Sequence, residues 1–157
     1  MSDDYRNDDE FYMTATCKCG KEYRVEKWLK EGKGDRKPNP LYQLCNVCRN
    51  NMHLGLADIE GNPYPASQRH YPVGQGWMPI VLKLNEEIMA IQPDYEIAQI
   101  KEKFGTLRFY IGAGTDETHK LIDEAEAKTA HTCEVCGAPG EARHDGWVKT
   151  LCDEHAS

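Results

Sequence analysis

Eight residues in this chain have the types and spacing to hold metal: Cys17, Cys19, Cys45, Cys48, Cys133, Cys136, Cys152 and His155. They form two sets, a CxC arm followed by a CxxC arm, and a CxxC arm followed by a CxxH arm. Structural zinc takes four thiolate or imidazole donors in a tetrahedron, and these arrive as two short pairs because each pair chelates from one tight turn. A glycine follows the first arm of each set, at Gly20 and Gly137. In such a knuckle turn backbone N–H groups approach the thiolates, and a residue without Cβ tolerates the dihedrals required. Seven cysteines cannot pair completely, and a reducing compartment would keep them as thiols. The pattern therefore predicts two zinc ions per chain, one on four thiolates and one on three thiolates and an imidazole. His53 and His131 lie nearby in sequence but read as surface or interface histidines.

A second constellation sits inside the C-terminal set. The stretch "HDGWVKTLCDEH", His144 to His155, follows a knuckle and precedes a closing pair. It resembles the treble-clef (His-Me-type) nucleases of the phage recombination endonuclease kind. That resemblance implies a His that activates water, further ligands for a catalytic Mg2+, and a following helix to carry them. His144 and Asp145 are present, but the chain given stops two residues after His155. The expectation is a truncated apparatus at most, with His144 a loop or strand residue and no catalytic set.

The elements that must position these residues can be read from periodicity. Residues 1 to 16 are acidic and read as a disordered tail, and residues 17 to 52 form a four-cysteine zinc unit. Within it Val25, Trp28 and Leu29 share a helical face, although the first half suits a strand equally well. Residues 53 to 76 hold three prolines and four glycines and read as a semi-rigid linker. Residues 77 to 157 form the last unit. Pro79 suits a first helical turn, and Ile80, Leu84, Ile88 and Ile91 follow at helical spacing up to Pro93. Two β-rich runs flank Phe104-Gly105-Thr106 as a hairpin. A second helix follows, N-capped by Thr115 or Asp116, with Leu121, Ile122 and Ala125 inward. The fold class is α+β: a small zinc-stabilised protein with two zinc-ribbon or treble-clef-like sites and a central helix-hairpin-helix unit.

Charge is uneven along the chain. The formal net charge is −7, distributed as −4 over residues 1 to 16, +5 over 17 to 49 and −8 over 50 to 157. Such a surface excludes a general polyanion binder. By net charge only the basic segment is a candidate for nucleic-acid contact, through Arg24, Lys27 and Lys30, supported by Lys33, Arg36 and Lys37. Four thiolates on Zn2+ would lower that +5 to +3. "KEKFGTLRF" also interleaves cations with aromatics as stacking platforms do, although its Phe and Leu suit a core equally. No stretch has the length of a membrane span or the pattern of a signal peptide, which makes the cytoplasm the default compartment.

Residues 77 to 155 carry a further resemblance. "GWMPIVLKLNEEI", "IKEKFGTLRFYIG", "IDEAEAKTAHTCEVCGAPG" and "GWVKTLCDEHA" together resemble a family of small uncharacterised zinc-ribbon proteins of bacteriophages and prophages. The resemblance implies the C-terminal metal site and a viral or bacterial setting, and no activity. With eight ligands assigned and no nucleophile or base left over, the expected function is a non-enzymatic zinc-binding interaction module. It would act as a phage accessory protein that binds or inhibits a host protein, with Trp77, Tyr110 and Trp147 as contact residues. A nucleic-acid-binding zinc protein is the alternative, and the truncated nuclease the second.

Overall fold

A computed structural model describes residues 8–156. A short helix α1 (Asp8–Phe11) leads into strand β1 (Tyr12–Thr16), which pairs antiparallel with β2 (Glu22–Glu26) in the register Tyr12↔Glu26 to Thr16↔Glu22. This corrects the expectation of a disordered tail through residue 16; its first seven residues lie outside the described residues. Beneath the acidic run, Met13, Ala15 and Cys17 alternate with Thr14 and Thr16. A period of two puts that apolar set on one face. Ala15, Cys17, Tyr23 and Val25 join Leu44 and Cys45 in a small core, with Met13, Leu29 and Tyr42 packed against it.

Helix α2 (Lys27–Glu31) follows β2 directly and stops at Gly32, whose φ of +84° a side chain would resist. Helix α3 (Asn46–His53) then begins at Cys45. Its buried face is polar. Asn46 Nδ2 donates to the carbonyls of Pro93 (2.9 Å) and Tyr95 (3.1 Å). Asn50 donates from Nδ2 to Tyr95 O (3.0 Å) and accepts from Ile97 N–H at Oδ1 (2.8 Å). Arg49 donates to Leu44 O (2.8 Å), pairs with Glu96 and lies over the Tyr42 ring. Buried polar groups are tolerable only when each is partnered, and here the partners lie across the junction to the next layer.

Residues 53 to 76 are not a linker, which is a second correction. Leu54 and Val73 are buried in the main core, with Leu56 and Tyr71 packed against it. The glycines there serve close packing instead of freedom. Gly55 has φ +75° and presses on the backbone of His70, where a Cβ would collide. Asp58 Oδ1 accepts from the amides of Glu60 and Asn62 (both 2.9 Å), closing an Asx-type turn.

The main core lies between two helices and a hairpin. Helix α4 (Met78–Ile91) has Pro79 in its first turn and buries Met78, Val81, Leu84 and Ile88. Strands β3 (Ile97–Lys103) and β4 (Thr106–Ile111) present Ile97, Ile100, Leu107 and Phe109 to it. Helix α5 (Asp116–Thr129) contributes Ile122 and Ala125; Thr115 Oγ1 caps it by accepting from Thr118 N–H (3.2 Å). The two-stranded sheet has its outer edges satisfied by helix side chains. Thr129 Oγ1 accepts from Leu107 N–H and Glu126 Oε1 from Phe109 N–H, both at 3.0 Å, on one edge. Asn50 does the same for Ile97 on the other. At the hairpin tip Phe104 has φ +52° and Gly105 φ +78°. A turn with both central residues left-handed normally selects Asn or Asp before the glycine, and a bulky residue there costs about 1–3 kcal/mol.

Strands β5 (Glu141–Arg143) and β6 (Lys149–Leu151) form the last hairpin. It packs on the β3–β4 tip, where Thr150 Oγ1 donates to Gly105 O (2.5 Å). No helix among the described residues is long and apolar enough to cross a membrane.

Candidate metal centres

The N-terminal set is assembled from a strand turn and a helix start. Cys17 and Cys19 occupy the turn between β1 and β2. That turn is closed by Gly20 N–H to Cys17 O and by Cys17 N–H to Lys21 O, both 2.8 Å, with Gly20 at φ +92°. Cys45 is the N-cap of α3 and Cys48 lies in its first turn. The C-terminal set repeats the first half of this plan. Cys133 and Cys136 follow α5 in a turn closed by Gly137 N–H to Cys133 O (2.9 Å) and Cys133 N–H to Ala138 O (2.7 Å), with Gly137 at φ +79°. Cys152 and His155 come from the turn after β6, where His155 N–H donates to Cys152 O (3.2 Å).

The separations of the donor atoms distinguish the possible chemistries. Sγ atoms of Cys17 and Cys48, of Cys19 and Cys45, and of Cys136 and Cys152 are each 3.7 Å apart. Cys133 Sγ lies 3.7 Å and Cys152 Sγ 3.1 Å from His155 Nδ1. A disulfide requires about 2.05 Å, and all seven cysteines are free. A tetrahedron with metal–sulfur bonds of about 2.3 Å has an edge of about 3.8 Å. Within each set all four donor atoms lie within 4.8 Å of one another, so both sets can hold a metal ion.

Electrostatics adds to the case. Burial opposes ionisation of Cys17, but backbone N–H groups at Cys45 and Cys19 outweigh it and bring the thiol down to about 7. Cys133 comes down to about 6 in the same way, through the amides of Cys152, Cys136 and Val135. Cys45 and Cys48 move the other way, because burial and the neighbouring sulfurs disfavour further negative charge. Cys136 also rises, despite the Ala138 amide. His155 is raised by its contacts with Cys152 and Cys133. One sulfur per set, Cys17 or Cys133, ionises readily while Cys45, Cys48 and Cys136 are held back; a dication removes that conflict.

The C-terminal centre is tied into the main core by hydrogen bonds. Gly76 N–H donates to Glu134 O (2.9 Å) and the buried Trp77 Nε1 to Thr132 O (2.7 Å). A Cβ at Gly76 would collide with Cys133 O and with the amides of Gly137 and Cys136, so the segment lies flush against the knuckle. Nothing in the sequence pattern separates this glycine from those of an ordinary loop.

The remaining sequence candidates fall in different places. His144 and Asp145 are exposed on the loop between β5 and β6, and neither belongs to any cluster of potential metal ligands among the described residues. Trp77 is 0% exposed, so its assignment as a partner contact is corrected: its ring is part of the main core. Tyr110 (43%) and Trp147 (69%) are exposed, with the Trp147 indole N–H directed at Glu102 (3.3 Å). In the basic segment the Arg24 guanidinium lies 4.9 Å over the Tyr12 ring. Lys30 sits over the Tyr23 ring and donates to its hydroxyl (3.1 Å), and Lys27 is half-buried at the start of α2. Comparison with protein-family models, with curated proteins and with solved structures finds no match to this chain.

Proposed function

We propose that the chain is a non-enzymatic binding module held together by two structural zinc ions. One rests on Cys17, Cys19, Cys45 and Cys48, the other on Cys133, Cys136, Cys152 and His155. The observation that carries this is the completeness of both donor sets: in each, four donor atoms lie within 4.8 Å of one another, and several of the separations, at 3.7 Å, are close to a tetrahedral edge. Four protein ligands leave zinc no position for water or substrate, which separates a structural from a catalytic ion. Thiolate and imidazole donors suit zinc, whereas Mg2+ and Ca2+ take oxygen. The N-terminal plan, a knuckle in a hairpin turn and a second pair on a helix start, is that of a treble clef; the C-terminal hairpin with its closing turn is ribbon-like. The resemblance of residues 77 to 155 would place the module in a phage-infected or prophage-bearing cell, as an accessory protein acting on a host macromolecule. The exposed Tyr110 and Trp147 support binding as its mode of action.

Cobalt substitution tests the closed sites. Two Co2+ per chain should give tetrahedral thiolate spectra that added azide leaves unchanged. A spectrum that azide shifts would reveal an open coordination position and overturn the structural assignment. Cleavage of branched DNA with Mg2+, abolished by His144→Ala, would restore the nuclease.

A further inference from the structure

The outer face of the β3–β4 hairpin serves no structural purpose that its residues explain. Gln99, Lys101 and Lys103 on β3 face Tyr110, Arg108 and Thr106 on β4, and all six are exposed or half-buried. Contacts across this face hold together: Lys101 Nζ lies 5.5 Å from the Tyr110 ring centre, and Arg108 donates to Thr106 Oγ1 (2.6 Å). Lys101 stands directly opposite Arg108. Like charges opposed across a strand pair destabilise it. Among the described residues no carboxylate pairs with Lys101, Lys103 or Arg108, although the chain as a whole carries −7. The nearest acid in sequence, Glu102, points to the other side, where it accepts from Gly105 N–H (2.6 Å) and from Trp147. At the end of the face Phe104 is 64% exposed and held at φ +52°, a conformation that presents its ring to solvent from the tip. Lys103 lies 5.5 Å from that ring.

Opposed cations beside exposed aromatic rings on one sheet face match the needs of one ligand class, a chain of phosphates carrying unstacked bases. We propose that this face binds single-stranded nucleic acid, with Lys101, Lys103 and Arg108 on successive phosphates and Tyr110 and Phe104 stacking bases. The proposal rests on the binding-module reading of the previous subsection and names its ligand. An acidic peptide could satisfy the cations, but it gives no role to the strained Phe104.

The test is fluorescence anisotropy of a labelled oligothymidylate of about 12 nucleotides with the zinc-loaded full chain, with zinc content measured on the same sample. Binding should appear at low salt, with a log–log salt slope of about −2, the value for three phosphates neutralised on a single strand. Lys101→Gln and Arg108→Gln should each flatten that slope by about 0.7. Phe104→Asn should weaken binding roughly fivefold or more, the loss expected from one stacked base. The same variant should melt at or above the parent temperature, because asparagine accepts the left-handed conformation. Weaker binding therefore cannot be ascribed to misfolding. A blunt duplex of equal length should bind more weakly. No binding at low salt by a chain holding two zinc ions would overturn the ligand and leave the module standing. So would binding that Phe104→Asn does not weaken, or equal competition by polyglutamate, which would reassign the face to acidic protein. A chain without zinc would instead overturn the reading beneath it.

Discussion

Gly76 lies outside the C-terminal ligand set but packs directly against it. Its Cα lies against the turn of Cys133–Gly137, and its amide holds Glu134 O. Gly76→Ala should therefore destabilise the chain by about 1–3 kcal/mol, the cost of overpacking a filled site. It should also weaken metal retention at the C-terminal set, read as faster loss of one ion of two to a chelator. An equal effect on both ions would show that the contact is not local. In the sequence "VGQGW" looks like spacer, because nothing marks whether a glycine is free or pressed against another backbone. The ligands were legible for the opposite reason: chelation from tight turns imposes short spacings that chance seldom repeats. Trp77 shows the limit of residue type as evidence, since a tryptophan suits a core and an interface alike and only burial separates them.

Helix α3 joins the two parts of the fold. Its N-terminus supplies Cys45 and Cys48, while Asn46, Arg49 and Asn50 reach the chain entering β3. Asn50→Ala would leave the buried Ile97 N–H without its side-chain partner and should cost about 1–3 kcal/mol. Thermal unfolding of the zinc-loaded chain would measure it; an unchanged midpoint would refute the bridging role. Thr115→Ala, which removes the cap of α5, should cost about 1 kcal/mol by the same measurement. The spacing of Ile80, Leu84 and Ile88 placed a helix that lies at Met78–Ile91, and Thr115 is the N-cap. Strand β1 escaped because the acids before it mask a five-residue alternation. The polar face of α3 escaped because asparagine at a buried bridge has the same one-letter signature as asparagine on a surface. The stretch 53–76 failed through composition: proline and glycine marked turns correctly, but turns packed on a core look the same in sequence as turns in a spacer.

The described residues form two small cores, one of them built largely from the N-terminal ligand set and its neighbours. Apolar burial of that size gives little margin, whereas a structural zinc contributes on the order of 10 kcal/mol. Metal removal should therefore unfold the chain, beginning with β1–β2 and α3, and the loss should be steeper in acid. The sign follows from the donors: thiolates and neutral imidazole bind metal, so protonation competes, and metal retention rises with pH until all eight donors are deprotonated. Native mass spectrometry of the full chain, with thiol titration of the same sample, examines both centres together. Two zinc ions should be present, and the seven cysteines should stay unreactive until a chelator exposes them all. One ion or none, or cysteines that react freely while both ions stay bound, would contradict the proposal of two closed zinc centres.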